Sequence, residues 1–263
     1  MPAMTQEKIA NSVRSFVSEH HERLDGWFYS LDMVTFVELY NLQKALKLSG
    51  HIAEVGVWKG KSLTLLSLLR SLEETLLCFD SFDDDNKLIT EQNVQAYGNP
   101  ENIQYWHGYT SNLSANELDG LFETPLRFLH IDAGHEYHEV LEQLHLLSPY
   151  VSDSGIIAMD DYQDAEFPGV GAAVLDFAEK LRPRRFVPFL ATGNKMYLCT
   201  RENASLFQEL MIQKDVFRDG GRLTRVRDFN ILILRSRVPV ETQVIIKQIH
   251  ATFFPHHDDK LLT

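Results

Sequence analysis

Three aspartates and one histidine mark where chemistry is expected in this chain. Asp132 follows the apolar run Leu126 to Ile131, and Asp160 and Asp161 follow the run Ser154 to Met159. If those runs are neighbouring parallel strands, all three carboxylates leave the sheet at its carboxyl edge, where open α/β sheets bind ligands. Three like charges in one cleft repel unless a cation sits among them. A hard divalent ion, most simply Mg²⁺, takes oxygen ligands and keeps waters that a hydroxyl can displace. Such an ion eases deprotonation of that hydroxyl, and a base within reach completes the activation. His135 lies on the same loop as Asp132 and is placed to be that base.

A second constellation is the stretch from Ile52 to Ser62, which reads as a short strand, a turn with Gly56 and Gly60, and the start of a helix. A phosphate-cradling loop needs four residues between Gly and Gly-Lys-Ser. Here Gly56 and Gly60 enclose only three. A dinucleotide fingerprint, Gly-x-Gly-x-x-Gly, fails as well, because Trp58 and Lys61 stand at its second and third glycine places. What remains is Glu-x-Gly-x-x-x-Gly, in which Glu54 could hold a cationic ligand group while the glycines admit the body of the ligand. The free amides of the helix's first turn would face it. An ordinary tight strand-to-helix turn is the other reading. Asp80, about twenty residues beyond Gly60, stands where a ribose-binding carboxylate belongs in the second strand of a nucleotide-binding sheet.

The elements that must position these residues follow from periodicity. Helical spacing is expected from Thr5 to Leu24 and from Met33 to Leu48, the second closed by Gly50. Trp27, Phe28 and Tyr29 between them suit packing or a lid. After the first strand and the helix Ser62 to Leu69 come strands at Thr75 to Asp80, Ile103 to His107, Leu126 to Ile131 and Ser154 to Met159. Asp83, Asp84 and Asp85 read as a solvated loop, and Gly108 to Thr110 as a terminal turn where a base could stack. Helices are predicted over His138 to Leu147 and Pro168 to Leu181. Arg185 to Ala191 and Lys195 to Thr200 flank the hairpin turn Thr192-Gly193-Asn194. Further on are a helix near Ala204 to Lys214, a turn at Gly220-Gly221, a strand-like Phe229 to Leu234 and a last helix near Val240 to Phe253. His256 and His257 read as part of a polar tail.

The pattern predicts an α/β fold: a Rossmann-like, seven-stranded, mostly parallel sheet with an antiparallel last hairpin and helices on both faces. Residues 1–50 are expected to form a helical cap or lid, 51–200 the core, and 201–263 an extension packed on it. A hydrophobic share of 44% with 24% charged residues suits a globular domain. No apolar run is long enough for a bilayer and residues Met1 to Asn11 show no secretory signal, so no membrane association and a cytoplasmic location are expected. The net charge of -12 disfavours a nucleic-acid partner. Cys78 and Cys199 each lie in an apolar run and are expected to be buried thiols.

Glu54-Val-Gly-Val-Trp-Lys-Gly60, Asp80-Ser-Phe82, Leu129-His-Ile-Asp132 and Asp160-Asp-Tyr162 with Pro168-Gly-Val170 together resemble a known family. They resemble, in order, the metal-dependent class I S-adenosylmethionine O-methyltransferases of the macrocin O-methyltransferase type, over roughly Tyr29 to Thr200. That resemblance implies methylation of a small-molecule hydroxyl, on a sugar or other natural product. Separately, a homo-oligomer such as a dimer formed through the terminal helices is expected. The resemblance also implies a cofactor site of Glu54, Gly56, Val57, Gly60, Ser62, Asp80, Ser81, Gly108, Tyr109 and Asp132. The glycine turn would take the methionine part of S-adenosylmethionine, and Asp80 the ribose hydroxyls. Mg²⁺ or another divalent cation would sit on Asp132, Asp160 and Asp161. The chain departs from the pattern at Gly134, where the family often has an aspartate, and His135 is the nearest replacement as base beside Asp132. A non-catalytic binder of the same cofactor, and a metal-dependent hydroxylase using Asp132 and His135, are the rival readings.

Overall fold

A computed structural model of the chain describes residues 6–180, 185–214, 217 and 221–234. The strands are β1 (His51–Val55), β2 (Leu76–Asp80), β3 (Ile103–His107), β4 (Leu126–Ile131), β5 (Val151–Met159), β6 (Phe186–Ala191), β7 (Met196–Thr200), β8 (Gly221–Val226) and β9 (Phe229–Leu234). They form one sheet in the order β3-β2-β1-β4-β5-β7-β6-β9-β8. The first five are parallel, β7 runs antiparallel between β5 and β6, and β8 and β9 close the far edge as an antiparallel pair. Strand order reverses between β1 and β4, and the carboxyl ends there frame the crevice that such sheets use for ligands.

The sheet has nine strands where seven were expected. The two additional strands are β8 and β9, joined to the sheet through β6. β9 is the strand-like apolar run, whereas β8 has only half-buried and exposed residues and carries no apolar run that would identify it alone. The central strands are legible for the opposite reason. Every residue of β4 is buried, as befits a parallel strand covered on both faces.

Helices α1 (Gln6–Ser15), α2 (Ser30–Ala45), α3 (Lys61–Leu69) and α8 (Arg201–Ile212) contribute to one apolar layer, through residues such as Val13, Phe36, Leu65 and Phe207. Helices α6 (Tyr137–Leu147) and α7 (Pro168–Lys180) build the layer on the other face, through Val140, Leu144, Val174 and Phe177. Two helices were not expected. α4 (Asn86–Tyr97) follows the acidic loop and buries only Thr90 and Val94, so its apolar period is faint. α5 (Ala115–Leu121) buries only Leu118 and is specified instead by a capping box between Ser114 and Glu117. The expected Thr5 to Leu24 helix ends early in α1 and continues as a π-helical turn and a 3-10 turn. Cys78 and Cys199 are free and fully buried. Among the described residues no helix is long and apolar enough to cross a membrane. The expected helix from Val240 to Phe253, Gly220, and His256 and His257 lie outside the described residues.

A polar clamp at the amino ends of the strands fixes the frame. Arg127, 3% exposed, donates to both oxygens of Glu74 at 2.6 and 2.7 Å, to Gln43 Oε1 at 2.8 Å and to the Leu69 carbonyl at 3.2 Å. It therefore joins β4 to α2, α3 and the loop before β2. Removing one partner of a buried ion pair leaves the other charge uncompensated, at a cost of about 3–5 kcal/mol. Arg127→Ala is expected to lose stability of about that size in urea unfolding, and adding Glu74→Gln is expected to recover part of it. An unchanged midpoint in Arg127→Ala would refute the clamp.

Candidate functional site

The turn after β1 is shaped by the close approach of β4's exit. Gly56 (φ +82°) and Gly60 (φ +78°) both adopt left-handed backbone. A Cβ on Gly56 would meet the Asp132 carbonyl oxygen at 1.8 Å, and one on Gly60 would meet Thr90 Cγ2 at 2.7 Å. The glycines are thus required by the protein's own packing, a stronger reason than the open space for a ligand suggested by their spacing. Trp58 between them is also left-handed, at φ +48°. Asp80 holds the turn in place: Oδ2 accepts from the Val57 and Trp58 amides at 2.6 and 2.8 Å, and Oδ1 accepts from Phe82 at 2.6 Å. A carboxylate has about four lone-pair sites, so one on Oδ1 remains for a hydroxyl.

Glu54 is wholly buried behind this turn. Its Oε1 accepts from Ser62 Oγ at 2.5 Å and lies 2.7 Å from His130 Nδ1, while Oε2 has no partner. His130 Nε2 lies 3.1 Å from Lys195 Nζ, and that ammonium also pairs with Asp160 Oδ2. An ammonium only donates. His130 Nε2 is therefore the acceptor, and its Nδ1 carries the proton given to Glu54. The result is a continuous buried chain from Asp160 through Lys195, His130 and Glu54 to Ser62, joining β5, β7, β4, β1 and α3.

Asp160 Oδ1 accepts from the Asp161 amide at 2.9 Å and from Asn194 Nδ2, so both its oxygens have donors. Burial alone would raise its pKa, but the Lys195 ammonium outweighs burial and holds it low. Asp132 is pushed well up by burial and by the charge of Asp160. Asp161 is raised by the same two causes. Lys195 stays above its ordinary value because Asp160, Asp132 and Asp32 overcome its burial. One ammonium thus faces a larger set of carboxylates. Asp161, left-handed at φ +52°, aims Oδ2 at His135 Nε2, 3.0 Å away, and the His135 ring stacks on Phe167 at 3.9 Å. Donor atoms of Asp132, His135 and Asp161 lie within 4.8 Å of one another, as do those of His130, Asp132 and Asp160.

A cavity of about 940 Å³ opens between these groups. Gly56, Val57, Ser62, Asp80, Asp132, His135, Asp160 and Asp161 line it together. Glu54 and Gly60 sit behind the turn, and Ser81, Gly108 and Tyr109 lie outside the lining, with Gly108 bonded to the Asp80 carbonyl at 2.8 Å. The mouth carries Trp27, Tyr29 and Trp58, with the two indoles stacked at 5.6 Å. A salt bridge of 2.6 Å from Lys59 to Asp25, and Lys61 Nζ donating to the Gly26 carbonyl at 2.9 Å, tie that segment to the glycine turn. Sequence reasoning missed His130, Asn194 and Lys195. The available signal was a charge at the head of the apolar run Met196 to Cys199, and a histidine inside the apolar run of β4.

Comparison with known proteins agrees with this architecture. Residues 53–162 match the family model described as a methyltransferase domain. Uncharacterized protein R132 of Acanthamoeba polyphaga mimivirus is 25% identical over 141 residues, 52% of this chain, which spans 62% of that relative's length. Among solved structures, CalS11, a TDP-rhamnose 3'-O-methyltransferase of calicheamicin biosynthesis, is similar with a TM-score of 0.52 and 17% identity, over 76% of this chain and 87% of that one. Cofactor-bound Rv0187 from MTB gives a TM-score of 0.53 at 13% identity over 76% of this chain and 91% of its own. With the sheet order above, these likenesses give the chain the Rossmann-like methyltransferase fold, and its glycine turn, Asp80 and acid cluster fall inside or at the edge of the matched domain.

Proposed function

We propose that the protein is an S-adenosylmethionine-dependent O-methyltransferase acting on a hydroxyl of a small molecule, a sugar or other natural product. The observation that carries this reading is the single crevice shared by the glycine turn, Asp80 and the acids that end β4 and β5. The methyltransferase-domain match over residues 53–162 supports the choice of methyl donor. The buried Glu54 carboxylate has one oxygen without a donor next to the turn, and it fits a ligand that brings a cationic group. Asp80 keeps one acceptor site for a ribose hydroxyl. When bound, S-adenosylmethionine would supply its methyl group to an oxygen in line with its sulfonium.

The acid cluster fits a divalent cation, because Asp132 and Asp161 are both held at raised pKa by burial and by Asp160. Mg²⁺ or a similar ion would be held there by oxygen ligands and would make an acceptor hydroxyl more acidic. This is the arrangement of the macrocin O-methyltransferase type that the sequence resembles. The protein's own part is alignment and proton removal. His135 is oriented by its stack on Phe167 and by Asp161 at Nε2, which leaves Nδ1 to accept the hydroxyl proton. Asp161 then stabilises the imidazolium. The Trp27 and Trp58 pair at the mouth limits the entry of water.

Three measurements test the reading. Calorimetry is expected to show binding of S-adenosylhomocysteine, weakened about tenfold or more in Asp80→Asn, as for loss of a hydrogen bond to a charged group. A protein that does not bind it is not such an enzyme. In a turnover screen over hydroxyl acceptors, His135→Ala is expected to lower the rate by about 10²–10⁴-fold without changing that affinity. A rate equal to wild type would remove the base. Dialysis against chelator is expected to reduce turnover and added Mg²⁺ to restore it, whereas full activity without divalent ion would exclude the metal role.

A further inference from the structure

The cluster at the ends of β4 and β5 contains its own cation, and its position bears on which carboxylates can take a second. Lys195 is 1% exposed. Its ammonium lies over the rings of Phe28 and Phe36, at 5.6 and 5.9 Å from their centroids, and donates to Asp160 Oδ2 and His130 Nε2. Aromatic faces on one side and anchored acceptors on the other leave this short, strongly hydrated type of charge no route to water. Asp160 is equally enclosed, with its side chain 4% exposed and its other oxygen taken by the Asp161 amide and Asn194. Asp161, with its side chain 19% exposed, faces the cavity beside His135.

A small hard cation such as Mg²⁺ keeps several of its waters and needs an open side at each carboxylate it binds. Asp161 offers that side, and Asp132 lines the same cavity. Asp160 does not. We infer that Lys195 is an internal competitor for the cation: it withholds Asp160, so a divalent ion is held by Asp132 and Asp161 without the third carboxylate. Lys195 is then a positioning residue that sets the strength of the cation site, and through His130 and Glu54 it links that site to the cofactor turn. The inference rests on the reading of the acid cluster as a cation site, but its test does not depend on methyl transfer.

The experiment is a titration of the full chain with Mn²⁺, in which bound ion is read from the loss of the free-ion electron paramagnetic resonance signal. Lys195→Met keeps the side-chain volume, removes the ammonium and frees Asp160. It is expected to bind Mn²⁺ at least about tenfold more tightly than wild type, through the gain of a carboxylate ligand. An affinity equal to or weaker than wild type would overturn the inference. Because that variant leaves Asp160 without its partner, a charge-balanced second variant, Asp160→Asn with Lys195→Met, keeps the question open to test if the first does not fold. Its Mn²⁺ affinity is expected within about threefold of wild type, and a tenfold loss would show that Asp160 is a ligand and Lys195 only its support. If wild type binds no Mn²⁺ while Lys195→Met does, the cation reading of the native site fails and the competition by Lys195 stands. If neither binds, the inference is wrong.

Discussion

The buried pair of Lys195 and Asp160 is the contact on which the arrangement of this site depends. It joins the first residue after the hairpin turn to the first residue after β5. The same ammonium reaches His130 near the carboxyl end of β4, which reaches Glu54 on β1, which reaches Ser62 on α3. Such a chain holds one geometry because each member has its charge or proton answered by the next. Low dielectric makes a complete network rigid and an incomplete one costly. The exception, Glu54 Oε2, lies next to the turn proposed to receive the cofactor.

That network also explains why the acids differ from one another. Asp160 is held ionised by the ammonium, and its charge falls on Asp132 and Asp161, whose own ionisation is then opposed. Three aspartates of equal type lining one cavity thus divide into one paired with a buried ammonium and two without one. Separation of roles among like groups by environment is how a fold tunes a site without new residue types.

The segment before α2 completes the cleft from the other side. Phe28 closes over Lys195, while Trp27 and Tyr29 remain exposed at the mouth. Consecutive aromatic residues therefore serve different ends: one excludes water from a buried charge, and its neighbours shape the opening. Lys59 and Lys61 hold this segment against the glycine turn, so the turn is positioned from two directions, by Asp80 below and by the amino-terminal segment above.

Most of the fold was legible from local pattern. Of the five parallel strands, β2, β4 and β5 are apolar runs that end at or just before an acid, and the pattern alone puts the turn at Gly56 and the acids at Asp132, Asp160 and Asp161 at one sheet edge. Helix α4 and strand β8 were not, because their apolar faces are too small to leave a period in the sequence. The deeper limit concerns charge. Lys195 in the sequence is a lysine after a hairpin turn, and nothing local says that it points inward. Its partner Asp160 is 35 residues away and His130 is 65. Local pattern was enough to specify the strands, the glycine turn and the supply of carboxylates at the sheet edge. Which of those carboxylates is spent on an internal ammonium and which are not was set by the packed fold, because that choice depends on burial and distance between segments that are remote in the chain.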